Sequence, residues 1–286
     1  MQIDKWLAPR TLPELQDALR DKKPTDYFIS GGTDLLVAIR GGKAVGGLID
    51  LTHLADLHHI EADDQTLFIG GGMTYDEIAK NDIIRKLCPV LAKAASMVGS
   101  QQVRNRGTVA GGVANASPAG DITPVLTCLQ ADVNLLDDSG TVSKTPIEDF
   151  LLGAGQTKLQ ANQCILGFEL PVNHKQLSAY GKLGSRSQVT IAQMTATIAL
   201  LLADNEIIEC RLVVGSIGVR PIRLTKAEAL FVGKKVSDLT AGTFTKAAHI
   251  FARYIQETVP KEFDRDYKAV AIIGVFEDLS TEILLK

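Results

Sequence analysis

The first stretch of the chain alternates apolar and polar positions in a way that predicts a helix followed by a buried strand. Apolar residues recur at helical spacing over 12–19, behind the capping pattern Thr11-Leu-Pro-Glu14, which predicts a helix to about residue 22. The short apolar run at 26–30 stops at a glycine pair, which is typical of a buried strand entering a tight turn. This order of elements favours helices packed against a sheet.

Similar signals continue through the next 80 residues or so. Strands are predicted at 46–51 and 66–70, and the second leads through three glycines into the capping pattern Thr74-Tyr-Asp-Glu77. Apolar spacing predicts one helix over 87–98, and the polar segment 99–107 predicts a loop. The N-terminal half therefore combines short strands, glycine turns and capped helices.

The pattern changes in the last 110 residues or so. Apolar runs at 195–203 and 207–216, joined by Asp204-Asn-Glu206, predict a long antiparallel hairpin. Helical patterns follow it at 225–231, 240–257 and 263–285. Strands grouped before helices describe an α+β domain. We therefore predict an α+β protein with one domain at 1–172 and a second at 173–286.

Composition excludes several classes of protein. The 286 residues are 45% hydrophobic and 22% charged, which suits one large globular domain or two modest ones. With 30 basic and 33 acidic side chains there is no basic excess to neutralise a phosphate backbone, so we expect no nucleic-acid partner. The longest apolar stretch, near 198–203, is far shorter than a membrane span of about 20 residues, and the first residues resemble no signal peptide. We expect no membrane span and a cytoplasmic location.

No side chain emerges as a catalyst or as a metal ligand. The four cysteines are too widely separated for a zinc or iron–sulfur motif, and no serine nucleophile motif or acid–base pair of carboxylates occurs. We therefore predict no catalytic residue and no metal site in this chain. Ligand binding without a catalytic side chain points to a cofactor that carries its own chemistry.

Glycine is concentrated in one part of the chain. Fourteen of the 25 glycines fall between residues 31 and 120, and glycine allows positive φ and close approach to a ligand. In Ile29-Ser-Gly-Gly-Thr-Asp-Leu35, consecutive backbone amides after a strand can converge on an anion such as a pyrophosphate. The spacing is neither a Walker loop nor a Rossmann turn, and an ordinary tight turn is the alternative interpretation.

A second glycine-rich segment, 108–121, is small, nearly chargeless and ends in a carboxylate. Gly111 and Gly112 offer backbone donors there, and Asp121 offers an acceptor for sugar or ribityl hydroxyl groups. The alternative, compatible with ligand contact, is that Asp121 caps a helix starting near Ile122. Together the two segments predict a site for a ligand with a pyrophosphate and a hydroxyl-rich chain.

Five motifs then stand along the chain: Ser30-Gly-Gly-Thr-Asp-Leu-Leu36, residues 102–121, Tyr180-Gly-Lys-Leu-Gly-Ser-Arg186 with Ile191-Ala192, Arg220-Pro-Ile-Arg-Leu-Thr-Lys-Ala-Glu228 with Gly233, and Asp266-Tyr-Lys268. In sequence and order they resemble the FAD-binding medium subunit of the xanthine dehydrogenase and carbon monoxide dehydrogenase family of molybdenum hydroxylases. The resemblance implies a two-part FAD-binding domain of the vanillyl-alcohol oxidase (PCMH) type. A C-terminal domain of antiparallel sheet plus helices, like that of carbon monoxide dehydrogenase flavoproteins, is implied after it.

The resemblance also implies which residues contact FAD. Those of the first motif are expected at the pyrophosphate: Ile29, Ser30, Gly31, Gly32, Thr33, Asp34 and Leu35. Those of the second are expected to line the cofactor: Val103, Gly107, Thr108, Gly111, Asn115, Gly120 and Asp121. Leu166 and Lys182 match positions beside the adenine or isoalloxazine ends.

Two positions depart from the family pattern. The family usually has asparagine where this chain has Gly112, and aspartate where it has Thr190. A side-chain amide near the flavin is therefore missing. If the pocket keeps the family's shape, Gly112→Asn is expected to tighten FAD binding.

The function implied is electron transfer within a multi-subunit enzyme. The chain is expected to take electrons from a [2Fe-2S] small subunit onto FAD and pass them to NAD or another acceptor, while molybdopterin sits on a large subunit. The absence of a clustered cysteine motif agrees with iron and molybdenum on other chains. The alternatives are a flavin-free assembly subunit of the same complex and a stand-alone FAD oxidoreductase.

Overall fold

The computed structural model describes residues 3–186 and 189–285, and it begins with a small parallel sheet. Its strands are β1 (Lys5–Leu7), β2 (Asp26–Ile29) and β3 (Gly47–Asp50), and its helices are α1 (Leu12–Arg20) and α2 (Leu35–Arg40). The strand order is β1-β3-β2, and both pairs are parallel. The Thr11 hydroxyl accepts from the amide of Glu14, so the predicted cap starts α1, and buried Leu15 and Leu19 anchor it on the sheet.

A second layered unit follows in sequence. Its strands are β4 (Ile60–Ala62), β5 (Thr66–Gly70), β6 (Asp132–Asp137), β7 (Val142–Pro146), β8 (Leu151–Gly153), β9 (Gln156–Thr157) and β10 (Gln163–Pro171). Its helices are α3 (Tyr75–Lys80), α4 (Asp82–Leu87), α5 (Pro89–Ser96), α6 (Gln101–Arg104), α7 (Val109–Asn115), α8 (Ile122–Cys128) and α9 (Ile147–Phe150). Five strands form an antiparallel sheet in the order β4-β5-β10-β6-β7, and β8 pairs with β9. The helices between β5 and β6 pack on this sheet through a common apolar core.

The C-terminal part is an antiparallel sheet covered by two long helices. Its elements are β11 (Gln176–Gly184), β12 (Ala192–Ala203), β13 (Glu206–Gly215), β14 (Ile222–Arg223), α10 (Thr225–Glu228), α11 (Ala241–Thr258) and α12 (Arg265–Leu284). The strand order is β11-β12-β13-β14. The buried aromatic residues Phe244, Phe251 and Phe276 fill the space between the helices and the sheet. The predicted α+β class, with a two-part first region and a sheet-plus-helix second region, is confirmed.

Some local predictions were wrong. The helix expected over 87–98 forms as α5 with shorter bounds, from Pro89 to Ser96, because proline suits the first position of a helix and Leu87 ends the preceding helix α4. The polar segment expected as a loop contains α6, whose first turn is capped by the Ser100 hydroxyl. Strand β11 was not predicted at all. No helix in the described ranges 3–186 and 189–285 combines the length and the apolar character needed to cross a membrane.

Arg211 connects the C-terminal sheet to the helix that begins at the candidate site. This buried side chain on β13 donates to the carbonyl oxygens of Thr127 and Cys128, both at 3.1 Å, and pairs with Glu148. Thr127 and Cys128 end α8, where a cation also satisfies carbonyl groups that lack a helical partner. The other end of α8, its N-terminus, follows Asp121. Arg211 therefore helps to set the direction of that helix.

We expect Arg211→Ala to destabilise the protein by about 2–3 kcal/mol, because two hydrogen bonds to a charged donor are lost in a buried interface. Urea unfolding of the purified chain measures this change. Arg253→Ala is the matched control, since Arg253 forms an exposed ion pair with Glu257 one helical turn away and is expected to change little. Equal unfolding midpoints for the two variants would contradict the role given to Arg211.

Candidate functional site

The first glycine motif forms a loop between β2 and α2 with unused backbone donors. Gly32 has a φ of 70°, a conformation that glycine adopts without strain. The amide groups of Gly31, Gly32, Thr33 and Asp34 donate to no acceptor among the described residues. Successive amides without a protein partner form a concave site for an anion. An ordinary tight turn stays the alternative, because amides at the start of a helix, such as that of Asp34 before α2, also lack an intrahelical partner.

This loop lies directly against the second glycine motif. A Cβ atom on Gly31 would overlap the carbonyl oxygen of Arg106 and lie 2.9 Å from the amide nitrogen of Gly107. The second motif is tied in turn to the glycines after β5, because the amide of Ala110 donates to the Gly71 carbonyl oxygen at 3.1 Å. Three glycine segments that are distant in sequence therefore share one surface.

A cavity opens along that surface. Its volume is about 620 Å³, within the range of about 300–1,000 Å³ that is typical of cofactor sites. The glycine loop forms one wall, and Leu57, Leu159 and Ile165 contribute apolar lining. Lys22 and Lys43 stand at one end of the cavity, where their ammonium groups lie over the rings of Phe28 and Tyr27.

A smaller cavity of about 450 Å³ adjoins the first. It is lined by Ser100, Val103, Gly120 and Asp121 together with Thr190 from the C-terminal part. Five residues line both cavities: Thr33, Asp34, Tyr75, Gly112 and Asn115. The two cavities therefore meet at the end of the glycine loop and form one elongated site.

The second glycine motif folds as helix α7, which changes the part its amides play. The Thr108 hydroxyl caps the helix by accepting from the amide of Gly111 at 3.2 Å. The amide of Gly112 donates to the Thr108 carbonyl oxygen at 3.0 Å. The backbone donors expected at these glycines are thus used inside the helix. Gly111 and Gly112 instead leave the surface of α7 beside the cavities free of side chains.

Asp121 sits at the smaller cavity in a buried ion pair. Lys182 donates to its Oδ2 at 2.9 Å and Tyr180 donates to its Oδ1 at 3.0 Å. Residues 180 and 182 reach the same carboxylate because alternate residues of β11 face the same side of the sheet. Lys182 also donates to the Met97 carbonyl oxygen at 2.8 Å. Burial raises the pKa of Asp121, while the charge and hydrogen bonds of Lys182 and Tyr180 act in the opposite direction.

The helix cap that was the alternative interpretation of Asp121 is not formed. Helix α8 does begin at Ile122, but the Asp121 side chain makes no capping hydrogen bond to it. Both carboxylate oxygens are used by β11 instead. The carboxylate is therefore positioned by the C-terminal sheet, although its backbone belongs to the N-terminal part.

The structure brings together most of the residues predicted for the site. The larger cavity is lined by Ile29, Ser30, Gly31, Gly32, Thr33, Asp34, Leu35, Gly107, Thr108, Gly111 and Asn115, and the smaller adds Val103, Gly120 and Asp121. Leu166 lines neither cavity: it lies at a bulge of β10, and its neighbour Ile165 faces the larger one. Lys182 also lines neither and acts through Asp121.

Sequence reasoning missed Tyr75, Gly71 and Gly72, all of which line the larger cavity. The signal was present in the triple glycine before the capping pattern at Thr74, which has the same form as the strand and glycine turn of the first motif. A tyrosine at the first position of a helix gives no such signal, because its place in the site depends on which segments pack over it.

The expectation for Gly112 was wrong in its premise. A Cβ atom at residue 112 would overlap the Tyr75 hydroxyl oxygen, so the space of the missing side chain is already filled. Gly112→Asn is therefore expected to weaken the site rather than to improve it. Thr190, the other departure, does line the smaller cavity, and its hydroxyl accepts from the amide of Ser185 at 3.1 Å. Within the described residues, no group of three or more histidine, cysteine, aspartate or glutamate side chains is arranged to hold a metal ion.

Two family models match the chain. Residues 1–173 match the family described as FAD binding domain in molybdopterin dehydrogenase. Residues 179–277 match the CO dehydrogenase flavoprotein C-terminal domain.

Relatives match over most of their length. The chain is 30% identical to the nicotinate dehydrogenase FAD-subunit of Eubacterium barkeri, covering 99% of this chain and 97% of that protein. It is 30% identical to the glyceraldehyde dehydrogenase medium chain of Sulfolobus acidocaldarius, covering 78% of this chain and 80% of that protein.

Solved structures share the fold. Carbon monoxide dehydrogenase from Hydrogenophaga pseudoflava superposes with a TM-score of 0.88 at 22% identity, over 99% of this chain and 98% of that one. Quinoline 2-oxidoreductase from Pseudomonas putida 86 superposes with a TM-score of 0.87 at 23% identity, over 100% and 98%.

Fold, paired cavities and family matches together define a flavoprotein subunit of oxidoreductases. The chain belongs to the FAD-binding medium subunits of the molybdenum hydroxylases, the family that includes xanthine, carbon monoxide and nicotinate dehydrogenases.

Proposed function

We propose that this chain binds FAD across its two joined cavities and transfers electrons within a multi-subunit molybdenum hydroxylase. Electrons reach it from a [2Fe-2S] small subunit and leave it for NAD or another acceptor, while substrate is oxidised on a molybdopterin large subunit. The family to which the chain belongs supports this proposal, and so does the absence of any candidate catalyst among the site residues described above.

The observation that carries the proposal is the row of four unused amides at Gly31, Gly32, Thr33 and Asp34. Gly31, Gly32 and Thr33 are half-buried and Asp34 is exposed, and successive amides without a protein partner suit a bound anion. The loop stands where the two cavities meet, which is the place for the pyrophosphate of a dinucleotide with one half in each cavity. The residues present therefore fit FAD.

The remaining site residues follow from that placement. Asp34 contacts the pyrophosphate through its backbone amide, because its carboxylate and the pyrophosphate are both negatively charged and repel each other. Ile29, Ser30 and Leu35 frame the loop on either side. The larger cavity accommodates the adenosine half beside Ile165, with Leu166 behind it.

The smaller cavity accommodates the flavin half. Val103 and Gly120 line it, and Asp121 offers a carboxylate held by Lys182. Gly107, Thr108, Gly111 and Asn115 lie along the path between the halves. FAD supplies the redox chemistry when it is bound. The chain's own residues bind it, orient it and exclude water from its inner face.

The setting of the chain is part of the proposal. All four cysteines are buried free thiols, which suits a reducing compartment such as the cytoplasm. The formal net charge of −3 offers no basic surface excess for nucleic acid. The required partners are a [2Fe-2S] chain and a molybdopterin chain.

Flavin content of the purified chain, measured by visible absorption and mass spectrometry, tests the proposal. We expect one FAD per chain, and co-expression with a [2Fe-2S] chain and a molybdopterin chain of this family is expected to give a complex that reduces its flavin when substrate is added. A complex that assembles without flavin would identify an assembly subunit instead. A flavin-loaded chain that never associates with those partners would identify a stand-alone oxidoreductase.

A further inference from the structure

Tyr75 occupies a place in the site that its position in the sequence does not suggest. It is the first residue of α3, and its amide donates to the Gly107 carbonyl oxygen at 3.0 Å. A Cβ atom on Gly107 would lie 3.0 Å from Cε2 of the tyrosine ring, and one on Gly112 would overlap the hydroxyl oxygen. The ring therefore lies across two glycines of the second motif and fills the space that side chains at 107 and 112 would need.

The hydroxyl of this tyrosine has no hydrogen-bond partner among the residues that the structure describes. The residue is only 8% exposed, and no hydrogen bond to its hydroxyl is formed by any described residue. Tyr180, the comparable buried tyrosine nearby, donates to Asp121 as expected for a phenol away from water. The side chain is nine-tenths buried, but its hydroxyl oxygen is not enclosed by protein and opens to the cavities, where water or a ligand can accept its hydrogen bond.

The position of the hydroxyl indicates what that acceptor is. Tyr75 is one of the five residues that line both cavities, with Gly112 and Asn115 beside it. Any molecule that extends from the larger cavity into the smaller one has to pass this point. A group bound there contacts the phenol directly.

We propose that Tyr75 is a cofactor-contacting residue: its hydroxyl donates a hydrogen bond to FAD where the cofactor passes from one cavity into the other, and Gly112 is glycine because Tyr75 takes its side-chain space. The inference rests on the proposed function, since FAD is the molecule assigned to the cavities. Burial, with further contributions from the charges of Asp34 and Asp121, raises the pKa of Tyr75. The phenol therefore keeps its proton at neutral pH and is able to donate.

Because the side chain of Tyr75 fills the space beside residue 112, substitutions at the two positions are expected to affect each other. In Tyr75→Phe the hydroxyl is removed, and the nearest atom to a Cβ at 112 becomes the ring carbon Cζ, at 3.3 Å. That spacing is tight and can be accommodated by a small shift. A polar side chain at 112 is thus tolerated once the hydroxyl is gone, and it is not tolerated before.

The test is titration of the flavin-free full-length chain with FAD, followed by flavin fluorescence. We expect Tyr75→Phe to weaken FAD binding about threefold to tenfold, as for the loss of one hydrogen bond. Gly112→Asn alone is expected to weaken it about tenfold or more through overlap with the phenol. The double variant Tyr75→Phe/Gly112→Asn is expected to bind FAD more tightly than Gly112→Asn alone and to approach the affinity of Tyr75→Phe, because the overlap is removed while the hydrogen bond stays lost.

Thermal unfolding of the flavin-free chain separates a ligand-directed hydroxyl from a structural one. Because the hydroxyl has no protein partner, Tyr75→Phe is expected to leave the melting temperature unchanged. Tyr254→Phe, on α11 and away from both cavities, is the matched control for removal of a phenol and is expected to bind FAD like the wild type.

Two results would overturn the inference while leaving the proposed function in place. One is wild-type FAD affinity in Tyr75→Phe, and the other is tighter binding in Gly112→Asn alone. A lowered melting temperature in flavin-free Tyr75→Phe would also count against it, because the hydroxyl would then serve the fold. A wild-type chain that binds no FAD would overturn the proposed function and this inference with it.

Discussion

Gly31→Ala is expected to yield a folded chain that has lost its FAD. The added methyl group would overlap the carbonyl oxygen of Arg106. That neighbour is backbone, which cannot move aside as a flexible side chain can, so the two glycine motifs must separate. Overpacking of this kind costs about 1–3 kcal/mol, and we place this substitution at the upper end. The expected result is an FAD dissociation constant about 100-fold higher, measured by fluorescence titration.

Gly274→Ala is the control for a glycine-to-alanine change without an overlap. Gly274 lies inside α12, and a Cβ atom there would meet nothing within 4 Å. Alanine favours a helix over glycine by about 1 kcal/mol, so this variant is expected to be slightly more stable and to bind FAD normally. Normal FAD affinity in Gly31→Ala would show that the contact between the two motifs is not required for binding.

Lys182→Met is expected to be the most destabilising single change considered, at about 3–5 kcal/mol. The side chains of Lys182 and Asp121 are only 3% and 8% exposed, so removing the ammonium leaves a carboxylate buried with Tyr180 as its remaining donor. The carbonyl oxygen of Met97 loses its partner as well. Urea unfolding of the flavin-free chain measures the loss, and FAD affinity is expected to fall because Asp121 is no longer held.

The destabilisation of Lys182→Met is expected to depend on pH in a defined direction. Burial already raises the pKa of Asp121, and loss of Lys182 raises it further. A raised carboxyl pKa means that the folded state binds a proton which the unfolded state releases above a pH of about 4. Stability then falls as pH rises through the folded pKa. The difference from wild type should therefore shrink as the pH is lowered.

Two further variants serve as controls, one for the buried charge and one for the replacement of a lysine by methionine. Asp121→Asn/Lys182→Met removes both charges and is expected to regain much of the lost stability, since no lone buried charge remains. Lys144→Met removes a lysine that pairs with Glu169 at 2.7 Å on the exposed side of the sheet, where its side chain is 51% exposed, and should change little. A Lys182→Met variant no less stable than Lys144→Met would contradict a structural role for the buried pair.

Much of the fold follows from local pattern. The caps at Thr11 and Thr74 form as predicted, because a hydroxyl and a carboxylate three residues apart are brought together by the first helical turn itself. The hairpin of β12 and β13 also forms as predicted, since a polar turn between two apolar runs brings its own flanks together. Strand β11 was missed because its sequence mixes small and polar residues and becomes a strand by pairing with β12.

The residues of the candidate site were likewise predicted in part from sequence. The residues of the first motif line the larger cavity as one continuous loop, so their shared role could be read from their adjacency in sequence. Leu166 shows the limit, because a bulge in β10 decides whether it or Ile165 faces the cavity. A shift of one residue in a strand moves a side chain to the other face, and sequence spacing does not reveal it.

The sequence by itself determined that this chain has two glycine-rich segments built for close approach to a ligand, and to which family it belongs. These properties reside in short runs of residues whose geometry is set by local sterics. The tertiary structure alone decided that Tyr75 stands in the place of a side chain at Gly112, and that Asp121 is held by Lys182, 61 residues away. Such contacts depend on how whole helices and strands pack. Packing brings together residues that are far apart in sequence, and their sequence separation does not reveal the contact.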